Sequence, residues 1–128
     1  MAHDPSLRGA ARARFLGSAK SGAADAWRMH VTSVALIPLT FAYVGVMLSL
    51  VGKDYAGAKA ALGHPYPAIV LLLFILAGVW HMKIGMRSII DDYIHSTHAK
   101  EWALVANTCF CWGVGLASIF AVLKLGLA

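Results

Sequence analysis

Residues 67–90 read PAIVLLLFILAGVWHMKIGMRSII, an apolar run that carries charge only toward its end. In a helix that rises about 1.5 Å per residue, this length exceeds the roughly 30 Å hydrocarbon core of a bilayer. The run therefore predicts a transmembrane helix, and the rest of the chain is interpreted around it.

Two further segments have the same character. Residues 31–51 contain no charged side chain, and residues 102–125 contain only Lys124. Over all 128 residues, 59% are hydrophobic and 13% are charged, far from the composition of a soluble domain. The prediction is an all-α integral membrane protein, with residues 27–128 forming one domain of three transmembrane helices.

The basic residues predict the orientation of these helices. Eight fall on the side of the N-terminus and the second loop, and three fall on the opposite side. The first group is Arg8, Arg12, Arg14, Lys20, Arg28, Lys83, Arg87 and Lys100, and the second is Lys53, Lys59 and Lys124. The positive-inside rule then places the N-terminus on the cytoplasmic or matrix side and the C-terminus outside.

Residues 1–26 are rich in Ala, Gly, Ser and Arg and contain no apolar stretch typical of a secretory signal. The favoured interpretation is a basic tail on the inner face. A mitochondrial transit peptide is the alternative.

His81 is the candidate functional residue of the second span. Placing an ionisable side chain at membrane depth costs free energy, so such a residue usually has a function. Gly78 and Gly85 lie one turn away on either side of it and leave space beside the imidazole. This arrangement suits an axial haem ligand in an apolar pocket. The alternative is a histidine that only hydrogen-bonds a neighbouring helix. No second histidine lies at similar depth, so a bis-histidine haem needs its other ligand from another protein chain.

Charged and aromatic groups follow His81 toward the inner face. Lys83 and Arg87 are expected to extend to the headgroups, with Arg87 also pairing with Asp91. Asp92 and Tyr93 lie at the membrane boundary, roughly 17 to 18 Å along the axis from His81. A phenol beside a carboxylate suits a ligand that arrives through the membrane and is protonated there. The alternative is an interfacial anchor.

The third span is notable for small residues and contains no candidate ligand or catalytic group. Gly113, Ala117 and Ala121 follow the spacing that lets helices approach closely, which predicts a packing interface. Cys109 and Cys111 point about 200° apart on a helix, so they cannot share one metal ion and are expected to be packing residues.

Several of these segments resemble one family. His81 with Ile84-Gly85-Met86 and the closing Asp92-Tyr93 are similar to the second helix of the small hydrophobic membrane anchor of succinate dehydrogenase, which is respiratory Complex II. The resemblance continues in GSAKSG at 17–22, WRMHVTSVA at 27–35 and GLASIFAVLK at 115–124, and is closest to the alphaproteobacterial type. It covers about residues 16–125.

The resemblance implies a chain that is half of a two-subunit anchor in the bacterial inner membrane, with the mitochondrial inner membrane as the alternative. By resemblance, His81 is an axial ligand of haem b, and the cytochrome b556 subunit supplies the other. Tyr93 and Asp92 resemble the ubiquinone-binding pair beside the iron-sulfur subunit. His30 stands where the family has an arginine near the haem propionates, which makes His30 and Arg28 the candidate propionate contacts.

The implied complex joins the tricarboxylic acid cycle to respiratory electron transfer. Succinate is oxidised on a flavoprotein subunit, and this chain is a non-catalytic subunit that interacts with membrane lipid and with no nucleic acid. Two alternatives stay open: an anchor of fumarate reductase, and a small transporter or channel subunit. A transporter or channel would need polar side chains along a path through the membrane. The polar residues of the first span are only Thr32, Ser33, Thr40 and Ser49.

Overall fold

A computed structural model describes residues 21–127. Most of the predicted basic tail at 1–26, including Arg8, Arg12, Arg14 and Lys20, lies outside the described residues. The described chain is helical almost throughout. Its helices are α1 (Ser21–Ser49), α2 (Tyr55–Gly63), α3 (Pro65–Tyr93) and α4 (Thr97–Leu127).

Three of these helices are long and apolar enough to cross a membrane. They span Gly22–Ser49, Pro65–Tyr93 and Thr97–Leu127, with mean hydropathies of 2.0, 2.0 and 1.8. The three predicted spans correspond to them one for one. The expected all-α, three-helix transmembrane fold is confirmed.

The turn between α3 and α4 is shorter than expected. It consists of residues 94–96 alone, whereas the charged residues Asp91-Asp92 and Lys100-Glu101 in the sequence indicate a loop over 91–101. The backbone N–H of Ile94 donates to the carbonyl of Ile90 over 3.0 Å, and the Lys100 ammonium lies 2.8 Å from a carboxylate oxygen of Asp91. Both contacts tie the start of α4 to the end of α3, so the two helices turn sharply.

Helix α2 lies between the first two spans, where Gly52-Lys53-Asp54 and the run from Gly63 to Pro67 in the sequence indicate a loop. Gly52 has a φ of 77°, which glycine adopts without strain, and Asp54 then caps the helix by accepting from the Gly57 N–H over 2.9 Å. The alanines that follow favour helix. The C-terminal end of α2 lies close against α4. A Cβ added at Gly63 would lie only 3.1 Å from the Leu125 carbonyl oxygen.

Helix α3 is the central helix. It packs against α1 on one side and against α4 on the other, and α1 and α4 do not contact each other within the described residues. Tyr43 of α1 stacks on Phe74 of α3 with ring centroids 4.6 Å apart, and a Cβ at Gly115 of α4 would lie 3.3 Å from Val79. Few described side chains are buried, namely Val46, Val70, Ile84, Ile90, Cys111 and Val122 among the apolar ones.

The predicted small-residue interface is not the one that α3 uses. Gly113, Ala117 and Ala121 are all exposed, and a Cβ at Gly113 would meet nothing within 4 Å. Gly115 and Cys111 face α3 instead, and Cys111 is 1% exposed. The pattern identified a helix that allows close approach, but the face that packs against α3 is a different one, because small residues occur on both faces.

A polar contact joins α4 to α3 within the membrane. The Asn107 amide donates to the backbone carbonyl of Lys83 over 3.0 Å, and the Cys111 thiol donates to the Asn107 side-chain oxygen over 3.4 Å. Interhelical hydrogen bonds of this kind stabilise membrane proteins modestly.

We expect Asn107→Ala to lower the free energy of unfolding by about 0.6 kcal/mol, and by no more than about 1.7 kcal/mol. Reversible denaturation of the protein in mixed micelles by SDS measures this difference. Cys109→Ala is the control, because Cys109 lies two residues away on the same helix and is exposed. Equal stabilities of the two variants would show that the amide contributes nothing.

Candidate functional site

His81 lies on the side of α3 that faces α1, where its side chain is half-buried. Its Nδ1 atom is 3.1 Å from the Thr32 hydroxyl and 3.5 Å from the Ser33 hydroxyl. The expected alternative of a histidine bonded to a neighbouring helix is therefore observed, but only at one nitrogen. Nε2 makes no hydrogen bond to the described residues, and in the tautomer with the proton on Nδ1 it is the nitrogen that can donate an electron pair.

The surroundings of His81 match the requirement for open space beside the ring. A Cβ at Gly78 would meet nothing within 4 Å, and one at Gly85 would meet only the Met29 methyl at 3.9 Å. No group of three or more His, Cys, Asp or Glu side chains in the described part of the chain could hold a metal ion. One imidazole with a free nitrogen fits an axial haem ligand whose counterpart comes from another chain.

Ion pairs connect the helices near the C-terminal end of α3. Asp25 of α1 accepts from Arg28 over 3.2 Å and from Arg87 over 3.1 Å, while Arg87 also lies 3.7 Å from Asp91. The Arg87–Asp91 pair was predicted from the four-residue spacing and is confirmed. The pairing with Asp25 was missed, because it depends on how α1 and α3 align. Exposed pairs of this kind stabilise weakly, about 0 to 1 kcal/mol each, so their main effect is on geometry.

The expectation that Lys83 extends to the lipid headgroups is wrong. Its ammonium lies 5.7 Å from the centre of the Trp112 ring, and the residue is half-buried between α3 and α4. A cation over the face of an indole is attracted to the ring, which explains why the side chain lies across α4.

The two candidate propionate contacts point to different places. His30 lines a cavity of about 620 Å³ between the first half of α1 and the C-terminal part of α3, together with Asp25, Ser33 and Arg87. Arg28 instead lines a separate groove of about 210 Å³, with Thr32 and Trp80. The two side chains therefore do not converge on one pocket within this chain.

Tyr93 and Asp92 form the C-terminal end of α3. Tyr93 is the last residue of the helix and its side chain is 78% exposed. Asp91 is engaged by Arg87 and Lys100, whereas neither Asp92 nor Tyr93 has a hydrogen bond or ion pair to a side chain of the described residues. The two neighbouring carboxylates thus differ: Asp91 is held in ion pairs, whereas Asp92, next to Tyr93, is available to a partner protein or ligand.

Sequence reasoning missed Thr32 and Ser33 as neighbours of His81. In the sequence they are adjacent hydroxyl residues near the start of the first span, and this adjacency was the signal that could have drawn attention to them. Their contact with His81 depends on the register of α1 against α3.

The chain is similar over most of its length to known proteins. It is 35% identical over 115 residues to the succinate dehydrogenase hydrophobic membrane anchor subunit of Paracoccus denitrificans, covering 90% of this chain and 88% of that protein. Proteins of the same name from Rickettsia typhi and Rickettsia bellii are 25% and 26% identical, covering 87% and 90% of this chain and 89% and 92% of theirs.

No solved structure gives a significant match to the chain. A sequence model of the succinate dehydrogenase/fumarate reductase transmembrane subunit matches residues 5–115. This match includes α1, α2, α3 and most of α4, and therefore His81, Asp92 and Tyr93. With three membrane-spanning helices and this similarity along most of its length, the chain belongs to the family of succinate dehydrogenase/fumarate reductase transmembrane subunits.

Proposed function

We propose that this chain anchors a succinate:quinone oxidoreductase in the bacterial inner membrane, supplies one axial ligand of haem b and forms one wall of the ubiquinone-reduction site. The observation that carries the proposal is His81, an imidazole on the central transmembrane helix with Nδ1 held by a hydroxyl and Nε2 free. Its partners are the flavoprotein subunit, the iron-sulfur subunit and the cytochrome b556 subunit, which supplies the second axial imidazole.

Haem b, when bound, provides a one-electron centre beside the quinone site. The part of this chain is to present Nε2 of His81 and to leave room for the macrocycle. Arg28 and His30 are the propionate candidates. Since they line different cavities, only one of them is expected to contact a given propionate, and Asp25 holds Arg28 in place.

The quinone part of the proposal rests on Tyr93 and Asp92. As ubiquinone is reduced, its carbonyl oxygen gains negative charge, which a phenol O–H stabilises by donating a hydrogen bond. The exposed position of Tyr93 at the end of α3 supports this role, because a partner protein has access to complete the pocket. Asp92 tunes the tyrosine or passes protons to the site.

The chain itself performs no oxidation in this proposal. Succinate is oxidised on the flavoprotein, and electrons reach the membrane through the iron-sulfur subunit. A fumarate reductase anchor is the second candidate, since the family includes both enzymes. The Paracoccus and Rickettsia relatives are all named for succinate dehydrogenase, which favours the first.

A transporter or channel role is not favoured. The hydroxyls of Thr40 and Ser49 on α1 donate to the backbone carbonyls of Leu36 and Val46 of the same helix, over 2.6 and 2.7 Å. These hydroxyls are thus satisfied locally and do not need a polar path.

Purification through an affinity tag on this chain tests the proposal. We expect a flavoprotein, an iron-sulfur protein and a second small hydrophobic chain to copurify from mildly solubilised membranes, with succinate:ubiquinone activity. Recovery of the chain without a flavoprotein would contradict the proposal. Fumarate reduction faster than succinate oxidation would favour the second candidate.

Membrane orientation is a separate prediction. A reporter fused after Ala128 is expected to be external, and one inserted at Ser96 in the α3–α4 turn is expected to be internal. Alkaline phosphatase and green fluorescent protein fusions measure the two sides. The reverse result would place Tyr93 on the face away from the iron-sulfur subunit.

A further inference from the structure

We propose that Thr32 is a positioning residue for His81: its hydroxyl accepts the Nδ1 proton, fixes the tautomer that leaves Nε2 free, and thereby sets how strongly the imidazole binds iron. This inference rests on the proposed haem ligation. It concerns a residue on α1 that does not itself contact the metal.

The direction of the hydrogen bond follows from counting protons. The Thr32 hydroxyl has one proton and lies 2.9 Å from the carbonyl of Arg28 and 3.0 Å from that of Met29. If it donates to one of these carbonyls, its oxygen still accepts from His81, and two hydrogen bonds form. If it donates to an unprotonated Nδ1 instead, only one forms. Satisfying more polar groups in a membrane favours the first arrangement, with the proton on Nδ1.

Thr32 is placed firmly enough to orient the ring. Its hydroxyl is bound to the preceding turn of α1, and its branched side chain has few alternative rotamers in a helix. The position of the imidazole then depends on the register of α1 against α3, which the Tyr43–Phe74 stack and the Asp25–Arg87 ion pair also fix.

Ser33 is the reserve acceptor. Its hydroxyl donates to the Met29 carbonyl over 2.8 Å and lies 3.5 Å from Nδ1, at the limit of a hydrogen bond. Removing the Thr32 hydroxyl alone would let Ser33 take over with a small shift of the ring. A decisive test therefore removes both.

The chemical consequence is a change in donor strength. When Nε2 binds iron, a hydrogen bond donated by the Nδ1 N–H raises the basicity of the imidazole. A more basic ligand favours the more highly charged ferric iron over ferrous iron. Losing the acceptor should therefore raise the reduction potential of the haem. If the ferric preference falls roughly tenfold, the potential of this one-electron couple rises by about 59 mV.

The experiment uses the purified complete complex and measures the haem midpoint potential by redox titration, with the ratio of haem to flavin as the assembly control. The variant is Thr32→Val with Ser33→Ala. Thr32→Ser with Ser33→Ala keeps a hydroxyl at position 32 alone and is the rescue. Thr40→Val is the matched control, because its hydroxyl lies on the same helix and bonds only the Leu36 carbonyl.

We expect the potential to rise in Thr32→Val with Ser33→Ala and to stay at the wild-type value in Thr32→Ser with Ser33→Ala and in Thr40→Val. Loss of haem from the first variant with retention in the other two would support the same role. A wild-type potential in Thr32→Val with Ser33→Ala, measured on complex that retains haem, would overturn it. If His81→Ala also retains its haem, the proposed function fails instead, so the two failures are distinguishable.

Discussion

The complex that carries His81→Ala is expected to lose most of its b-type haem while keeping its flavin. The substitution removes the nitrogen that this chain offers to the iron, and no other histidine of the described residues lies at that depth to replace it. The haem should be lost because a ligand is missing and not because the helices pack poorly. His81 is only half-buried and the space beside Gly78 is open, so the smaller alanine side chain should disturb packing little.

The low-spin haem absorbance per flavin of the purified complex measures the effect. His64→Ala is the matched control, since His64 is exposed at the opposite end of α3 and its side chain makes no capping hydrogen bond. A wild-type spectrum in His81→Ala would refute the ligand assignment. The chain purified alone is expected to bind little haem, because it offers one axial ligand.

The second large effect is expected at Tyr93. The phenol donor should stabilise the charge that develops on the quinone carbonyl more than it stabilises the neutral ground state, which is the condition for accelerating the step. Tyr93→Phe is therefore expected to lower succinate:ubiquinone activity roughly tenfold or more, while succinate oxidation by a soluble, flavin-level acceptor stays nearly unchanged.

Both activities are measured on the same membranes, with haem content as the assembly control. Tyr66→Phe makes the identical chemical change at the other end of α3, where the side chain is also exposed, and is expected to have no effect. Asp92→Asn should give a milder quinone defect than Tyr93→Phe. If the two activities of Tyr93→Phe fall in parallel, Tyr93 is an interfacial anchor only.

Much of the fold could be predicted because the bilayer imposes it. The spans are long, nearly uncharged and separated by charged or glycine-rich turns, so their number follows from length and hydropathy. Helix α2 was missed although its signals were present, an Asp54 cap followed by alanines. The interpretation of that segment as a loop gave too much weight to its flanking glycines.

The site could be predicted only in part. The position of His81 and the Arg87–Asp91 pair are local features of one helix, and both follow from its sequence. The contacts of His81 with Thr32, and of Arg87 with Asp25, depend on the rotation and register of α1 against α3. These helices are apolar on nearly every side, so periodicity gives no strong indication of which side faces the neighbouring helix.

The central position of α3 has a consequence for synthesis. Because α1 contacts α3 and neither α2 nor α4 within the described residues, the first helix has no partner in its own chain until α3 begins to leave the ribosome. The Thr32 hydroxyl lacks its contact until His81 has emerged, and the Asp25 carboxylate lacks Arg87 until later still. A nascent chain interrupted between α2 and α3 would leave α1 as a solitary span, without the stacking, ionic and imidazole contacts that hold it in place.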